Sequence, residues 1–315
     1  MSLRYSDEQR LLADSARDFL AARSPVSAQR RLRDDAVDLG FDAPLWRDAV
    51  ELGWSAIPFP EDFGGLDFGC KGLGPIFESM GRNLSASPLL SSVVLGGSLL
   101  HLAGNSSQQT HWLQAVIGGK QRLALAVDER SRHDPSRIAL EAKAEGQGYR
   151  LHGDKFWVVD GLGADAYVVA ARTSGQPGDT QGISLFLVPA ETQGLTVSAL
   201  ALIDSRNSAR LQLDQVQLGS DALLGTLGEG WTALETALDR GRTCLAAELL
   251  GMAEQLFETT LDYLKTRVQF DTPIGTFQVL QHRAAQMYID LALSRSALMA
   301  ALATLLFTWI YNDFF

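Results

Sequence analysis

The chain has 315 residues, a net charge of −10, 46% apolar and 20% charged residues, the balance of a soluble globular protein large enough for several domains. That acidity excludes a nucleic-acid surface, which needs clustered cations to displace counterions. Cys70 and Cys244 stand far apart without C-x-x-C spacing, so no disulfide framework or zinc site is indicated and a reducing cytoplasm is expected.

The N-terminus lacks the basic start and apolar run of a signal peptide. Ser6-Asp7-Glu8-Gln9 predicts a helix start, and Leu11, Leu12, Ala16, Phe19 and Leu20 follow at helical spacing. Leu45 to Leu52 repeats that period, and the turn-rich Pro58–Gly65 stretch breaks it. Helical spacing resumes over Leu73–Met80 and Leu89–Leu102, which predicts an all-helical region over residues 1–120 that acts as scaffold.

The period changes near Leu123. Short β-rich runs cover 123–127, 138–144, 149–152, 156–159, 166–170, 183–188 and 209–216, separated by turn chemistry such as Glu145-Gly146-Gln147-Gly148. Strands without intervening helices predict an antiparallel sandwich or barrel over 121–222. Helical period returns after Trp231, with one apolar stripe through Leu249, Leu250, Ala253, Leu256, Phe257 and Leu264 and another through Ala284, Met287, Leu291 and Leu298. No stretch holds about 18 uninterrupted apolar residues, so no membrane span is expected.

Between those two stripes lies a corner with more chemistry than a turn needs: Arg267, Gln269, Phe270, Pro273-Ile274-Gly275, Phe277, Gln278 and Gln281-His282-Arg283. This segment resembles the flavin-contacting helix corner of the acyl-CoA dehydrogenase family, where it reaches the FAD of a neighbouring subunit. The resemblance extends to about Ala303 and implies an α+β fold: an N-terminal helical domain, a middle antiparallel β domain and a C-terminal helical bundle over 223–315, here incomplete. It also implies FAD as cofactor, an acyl-CoA substrate oxidised to the trans-2-enoyl-CoA, electron-transfer flavoprotein as acceptor, and a homo- or hetero-oligomer. Trp157 resembles the tryptophan beside the isoalloxazine, and Leu125, Val127 and Asp128 resemble the strand beneath it; a plain core role is the alternative for each. Asp239 and Arg242 resemble the pair beside the CoA pantetheine, the alternative being a solvated first helical turn.

The chain departs from the family pattern in several places. Asp128-Glu129-Arg130-Ser131-Arg132-His133-Asp134 replaces a Thr-Glu-Pro…Gly-Ser-Asp segment and resembles the branch containing small subunits of pimeloyl-CoA-type dehydrogenases. Val159 replaces a hydroxyl residue and cannot donate a hydrogen bond to the flavin. Some relatives place the catalytic Glu where Gly241 stands, leaving Glu248 as a poor substitute, and most place it on a later Gly-rich loop that does not occur here. The catalytic base is therefore unknown. Phe307, Trp309, Tyr311, Phe314 and Phe315 crowd the end of the chain, which is either covered by a partner or the product of a frameshift or truncation.

Scattered His101, His111, His133, His152 and His282 offer no metal site, and no Gly-x-Ser-x-Gly elbow supports a hydrolase. The Gly225–Gly230 loop is a weak candidate for phosphate contact. The expectation is an acyl-CoA dehydrogenase of fatty-acid β-oxidation type that is inactive and nearly colourless as this chain. The rivals are a non-catalytic or half-site subunit of a heteromeric dehydrogenase and a flavin oxidase or monooxygenase on the same fold.

Overall fold

The computed structural model describes residues 4–35, 37 and 39–312, with side chains as far as Leu305. Phe314 and Phe315 lie outside the described residues, as do the side chains of Phe307, Trp309 and Tyr311. The chain forms two compact units. One comprises Met1–Gln29, Gly69–Ser85 and Arg242–Phe315, the other Arg30–Phe68 and Ala86–Gly241.

Helices α1 (Asp7–Arg23), α2 (Val26–Asp34), α3 (Ala43–Glu51) and α4 (Gly74–Asn83) begin the chain. In α1 the Ser6 side chain accepts from Gln9 N–H while the Gln9 side chain accepts from Ser6 N–H, so two orphan donors of the first turn are satisfied. The Asp42 side chain caps α3 by accepting from Leu45 N–H, and Leu45, Trp46 and Ala49 form its buried stripe. Leu89–Gly97 is a π-helix that becomes α-helical only at α5 (Ser98–Ala103), where the sequence predicts one ordinary helix. Its serines also bond beyond their own helix: Ser91 Oγ donates to Asp160 and Ser92 Oγ exchanges bonds with the Leu123 backbone. Short turns α6 (Ser106–Gln108) and α7 (Gln114–Ile117) come next, joined by a second π segment, Gln109–Leu113.

Strands β1 (Leu123–Ala126), β2 (Glu141–Glu145), β3 (Gly148–Val159), β4 (Ala166–Arg172), β5 (Ile183–Pro189), β6 (Leu195–Ala199), β7 (Ser208–Gly219) and β8 (Leu223–Leu224) make one sheet ordered β6-β7-β3-β2-β4-β5-β8, with β1 beside β4. Two of its pairings, β1 with β4 and β2 with β4, are parallel, a correction to the antiparallel expectation. Local alternation reports which residues face a core, not which strand lies alongside. The runs at 149–152 and 156–159 are one long strand with bulges, Ile138–Leu140 precedes β2 rather than belonging to it, and the sequence runs did not include β6 or β8. Tyr167, Phe186, Leu211 and Leu213 anchor the sheet core, each large side chain contributing about 1.5–3 kcal/mol by burial.

Helix α8 (Trp231–Thr266) leads into a two-stranded ribbon, β9 (Val268–Gln269) and β10 (Thr272–Pro273), then a 3-10 turn over Ile274–Thr276 and α9 (Gln278–Asn312). Over Gln278–Leu305, α9 is long and apolar enough to cross a membrane, although the sequence predicts no span. It nevertheless carries Arg295, whose guanidinium bonds Glu78 and Glu254 within its own unit.

Candidate functional site

Trp157 is not a core aromatic. It is 43% exposed, with φ at +57°, and sits where the β3–β7 register shifts between Lys155 and Val158. A bulge inserts one residue and reverses the facing of the residues beyond it. Lys155 and Trp157, which a regular strand would place on one face, therefore lie on opposite sides: Lys155 is 0% exposed. The indole Nε1–H donates to Arg130 O at 2.9 Å, so the open ring is held at its edge. Val159 is exposed as well, while Leu125 and Val127 are buried. Of the candidate sheet residues, Trp157, Val159 and the partly exposed Asp128 offer surface to a ligand.

The charged run after β1 is anchored rather than loose. Asp128 bonds His133 Nδ1 at 2.9 Å through its side chain and accepts from Phe156 N–H at 2.7 Å through its carbonyl. Glu129 turns inward to Lys155, and Arg172 donates to the carbonyls of Ser136, Ile138, Asp179 and Gln181. Burial pushes the Lys155 ammonium below its ordinary range, an effect the Glu129 carboxylate opposes. Sequence reasoning missed Lys155, Glu129 and Arg172 as a group. Lys155 stands between polar His152-Gly153-Asp154 and apolar Phe156–Val159, so the local sequence carries no signal that it is buried.

Three amides of the Gly225–Gly230 loop are in use. Gly228 N–H bonds Ser184 Oγ at 2.8 Å, Gly230 N–H bonds Ile183 O at 2.8 Å and Glu229 N–H bonds Thr226 O at 3.1 Å. It docks against β5, and the phosphate-binding option loses these donors. Asp239 and Arg242 are exposed on α8, but that helix starts at Trp231, so they lie beyond its first turn, not within it. Between them Arg240 is buried and donates to Ser98 Oγ at 3.0 Å. A Cβ at Gly241 would stand 2.7 Å from Leu95 Cδ2, so no carboxylate side chain fits there without moving that leucine.

The corner is an ordered hairpin. Phe270 and Asp271 take positive φ, as a tight ribbon turn requires, and Ile274 N–H returns to Arg267 O at 2.8 Å. Phe270 is 87% exposed and meets Phe277 edge-on, with centroids 6.2 Å apart. Arg267, Gln269 and Gln278 are exposed as well, and so are Tyr263, Val268 and Val279, so α8 and α9 are exposed where they flank the corner, although both carry buried residues farther along. The sheet candidates and the corner candidates fall in different compact units. Among the described residues no group of three or more His, Cys, Asp or Glu is placed to hold a metal ion.

Three family profiles match the chain: acyl-CoA dehydrogenase N-terminal domain over 6–120, middle domain over 125–216 and C-terminal domain over 228–308. Acyl-CoA dehydrogenase FadE27 of Mycobacterium tuberculosis is 33% identical over 263 residues, covering 83% of this chain and 66% of that protein. The ChsE4–ChsE5 complex of M. tuberculosis superposes with TM-score 0.85 at 30% identity, covering 96% of this chain and 79% of that one. Butyryl-CoA dehydrogenase of Megasphaera elsdenii gives TM-score 0.86 at 25% identity, with 96% and 80% covered. The chain thus spans between about two thirds and four fifths of the length of these relatives.

Proposed function

This chain belongs to the acyl-CoA dehydrogenase family of flavoprotein oxidoreductases, and from that premise we propose that it binds FAD and takes part in the α,β-oxidation of an acyl-CoA thioester. The observation that carries the reading is Trp157: an open aromatic face, fixed at its edge, suits a planar ring system. FAD, when bound, supplies the acceptor for the substrate's β-hydride. The chain's own residues do the holding. Trp157 and Val159 give the ring an apolar wall from which water is excluded, and Val159 offers it no hydrogen bond. Asp239 and Arg242 are the candidates for orienting the CoA arm, and Arg267, Gln269, Phe270, Phe277 and Gln278 for a flavin shared across a subunit interface. Electron-transfer flavoprotein is the proposed acceptor, and the buried thiols of Cys70 and Cys244, which form no disulfide, suit a reducing cytoplasm.

FAD titration into the purified chain tests this reading. A visible flavin band that sharpens on binding in the parent protein, and is lost in Trp157→Ala with the fold intact by circular dichroism, is the expected result. Equal FAD retention by both proteins would remove Trp157 from the site.

A second reading is favoured by one specific observation. Gly241 carries no carboxylate and a Cβ there would already press on Leu95 Cδ2, so the alternative position supplies no proton acceptor in this chain. That supports a half-site subunit that works beside a catalytic homologue, as suits the likeness to the two-component ChsE4–ChsE5 complex. Co-expression with a catalytic homologue separates the readings: activity only in the mixed complex supports the second, and activity of the chain alone supports the first.

A further inference from the structure

Behind Trp157 lies a set of buried polar groups to which no role in the reaction has been given. Lys155 Nζ donates to Glu129 Oε1 at 2.7 Å and to Val127 O at 2.9 Å, and its side chain is wholly buried. Both oxygens of the Glu129 carboxylate are engaged: Oε2 accepts from Ala139 N–H at 2.8 Å, and Oε1 accepts from Leu140 N–H at 2.9 Å as well as from Lys155. Residues 127 and 129 lie where the chain leaves the end of β1, and residues 139 and 140 where it returns to β2. One carboxylate therefore ties both ends of the 128–140 excursion to the strand that carries Trp157. Arg172 pins the far side of the same excursion through Ser136 O and Ile138 O. At the open side, the Arg130 carbonyl within this tied segment accepts the indole hydrogen.

A buried ammonium is expensive to keep, and a pair of this kind is seldom retained for stability alone, since well-packed apolar residues often serve as well. Its value lies in geometry. The Glu129 carboxylate accepts three bonds from fixed donors, so the Arg130 carbonyl one residue on has little freedom.

We infer that the Lys155–Glu129 pair positions Trp157: it fixes the segment whose Arg130 carbonyl holds the indole, and so sets the angle of the ring face offered to the flavin. The inference rests on the reading that Trp157 walls the flavin, and neither residue of the pair needs to touch the cofactor. Both are positioning residues.

The test uses the full chain with ¹⁵N-labelled tryptophan, whose six indoles give six resolvable N–H resonances. Loss of one resonance in Trp157→Phe assigns Trp157. In Lys155→Met and in Glu129→Gln, the Trp157 resonance is expected to shift and to exchange faster with water while the other five stay in place. Glu129→Gln keeps the volume of the side chain, so it serves if the lysine variant does not fold. An unmoved Trp157 resonance in a folded variant overturns the inference, as does a uniform shift of all six, which would mark the pair as a general support of the fold.

FAD titration provides a second arm. Misaligning the ring should cost about threefold to tenfold in affinity, the size of an aromatic stacking contribution. Lys155→Met should add nothing once Trp157→Phe is present, and additive losses overturn the coupling. If the parent protein binds no FAD, the proposed function fails while the indole arm still decides the positioning role.

Discussion

The sheet and the helix–corner–helix segment treat their side chains in opposite ways. Every residue of β4 is buried, as are all but the last of β5, and even the buried charges of the sheet, Lys155 of β3 and Arg172 of β4, end on named acceptors. On α8, by contrast, Leu245, Leu249, Leu256 and Tyr263 recur at intervals of four and seven residues along one face, and all are exposed. Val279, Ile289 and Leu293 on α9 are exposed too. A sheet that satisfies its own polar groups can hold a shape unaided, which is what a ring-bearing wall requires. A helical surface with a continuous apolar seam reads as one half of a contact.

The largest expected effect breaks the self-sufficiency of the sheet. Glu129→Ala leaves a buried ammonium without its partner and should cost about 3–5 kcal/mol in urea unfolding. Lys155→Met combined with Glu129→Gln removes both charges, keeps an amide oxygen for one of the Ala139 and Leu140 N–H groups, and should recover part of that loss. A single variant within about 1 kcal/mol of the parent would mean that water reaches Lys155 and that the sheet is not sealed.

The next effect concerns the seam. Leu249→Lys with Leu256→Lys replaces two side chains that are each 62% exposed, so the isolated chain should unfold as before. If the stripe is covered in an oligomer, two desolvated ammonium groups weaken it by about a hundredfold or more in dissociation constant. Light scattering at micromolar concentration reads the outcome. A parent protein that is already monomeric would show that copies of this chain do not cover the seam.

Much of this division was legible in the residues and some of it was not. The Ser6–Gln9 cap, the alternation of β7 and the apolar runs of β4 and β5 each state their structure locally, because caps and periods depend on near neighbours. Trp157 was found through its resemblance, yet its exposure depends on a bulge that strand parity cannot announce. Lys155 went unnoticed because its partner lies 26 residues earlier in the sequence. The parallel pairing of β1 with β4 is likewise a long-range fact. Helical spacing in α8 marked Leu249 and Leu256 as apolar stripe residues correctly, but spacing cannot say whether a stripe faces its own unit or something else.

A smaller effect belongs to the packing near the N-terminal part of α8. Gly241→Ala must shift the Leu95 Cδ2 methyl, a cost that the gain of about 1 kcal/mol in helix propensity largely offsets, so the net change should stay within about 1 kcal/mol. In Leu95→Ala the same substitution should cost less, because the added methyl enters the vacated space. A Gly241→Glu variant is expected to gain no dehydrogenase activity unless Leu95 is shortened as well. Activity from Gly241→Glu alone would show that this position opens in solution, and would weaken the half-site reading.

The finest contrast between the two regions lies in their tyrosines. Tyr263 and Tyr288 stand exposed on α8 and α9, whereas Tyr167 is buried in β4 with its hydroxyl donating to Gly161 O at 2.8 Å. Burial, reinforced by nearby Asp165, pushes the Tyr167 phenol up from about 10 to about 12. A folded-state value above the unfolded one means that the native chain holds this proton longer. The associated stability is complete below pH 10 and is lost as pH rises toward 12. A difference titration at the phenolate absorbance, parent minus Tyr167→Phe, should therefore show its step near the upper end of that window and coincident with unfolding. The substitution also removes one hydrogen bond, worth about 1 kcal/mol at neutral pH. A Tyr167 step near pH 10 in a protein that stays folded would place solvent inside the sheet core, and the distinction between a sealed sheet and an open helical seam would fail at one of its buried rings.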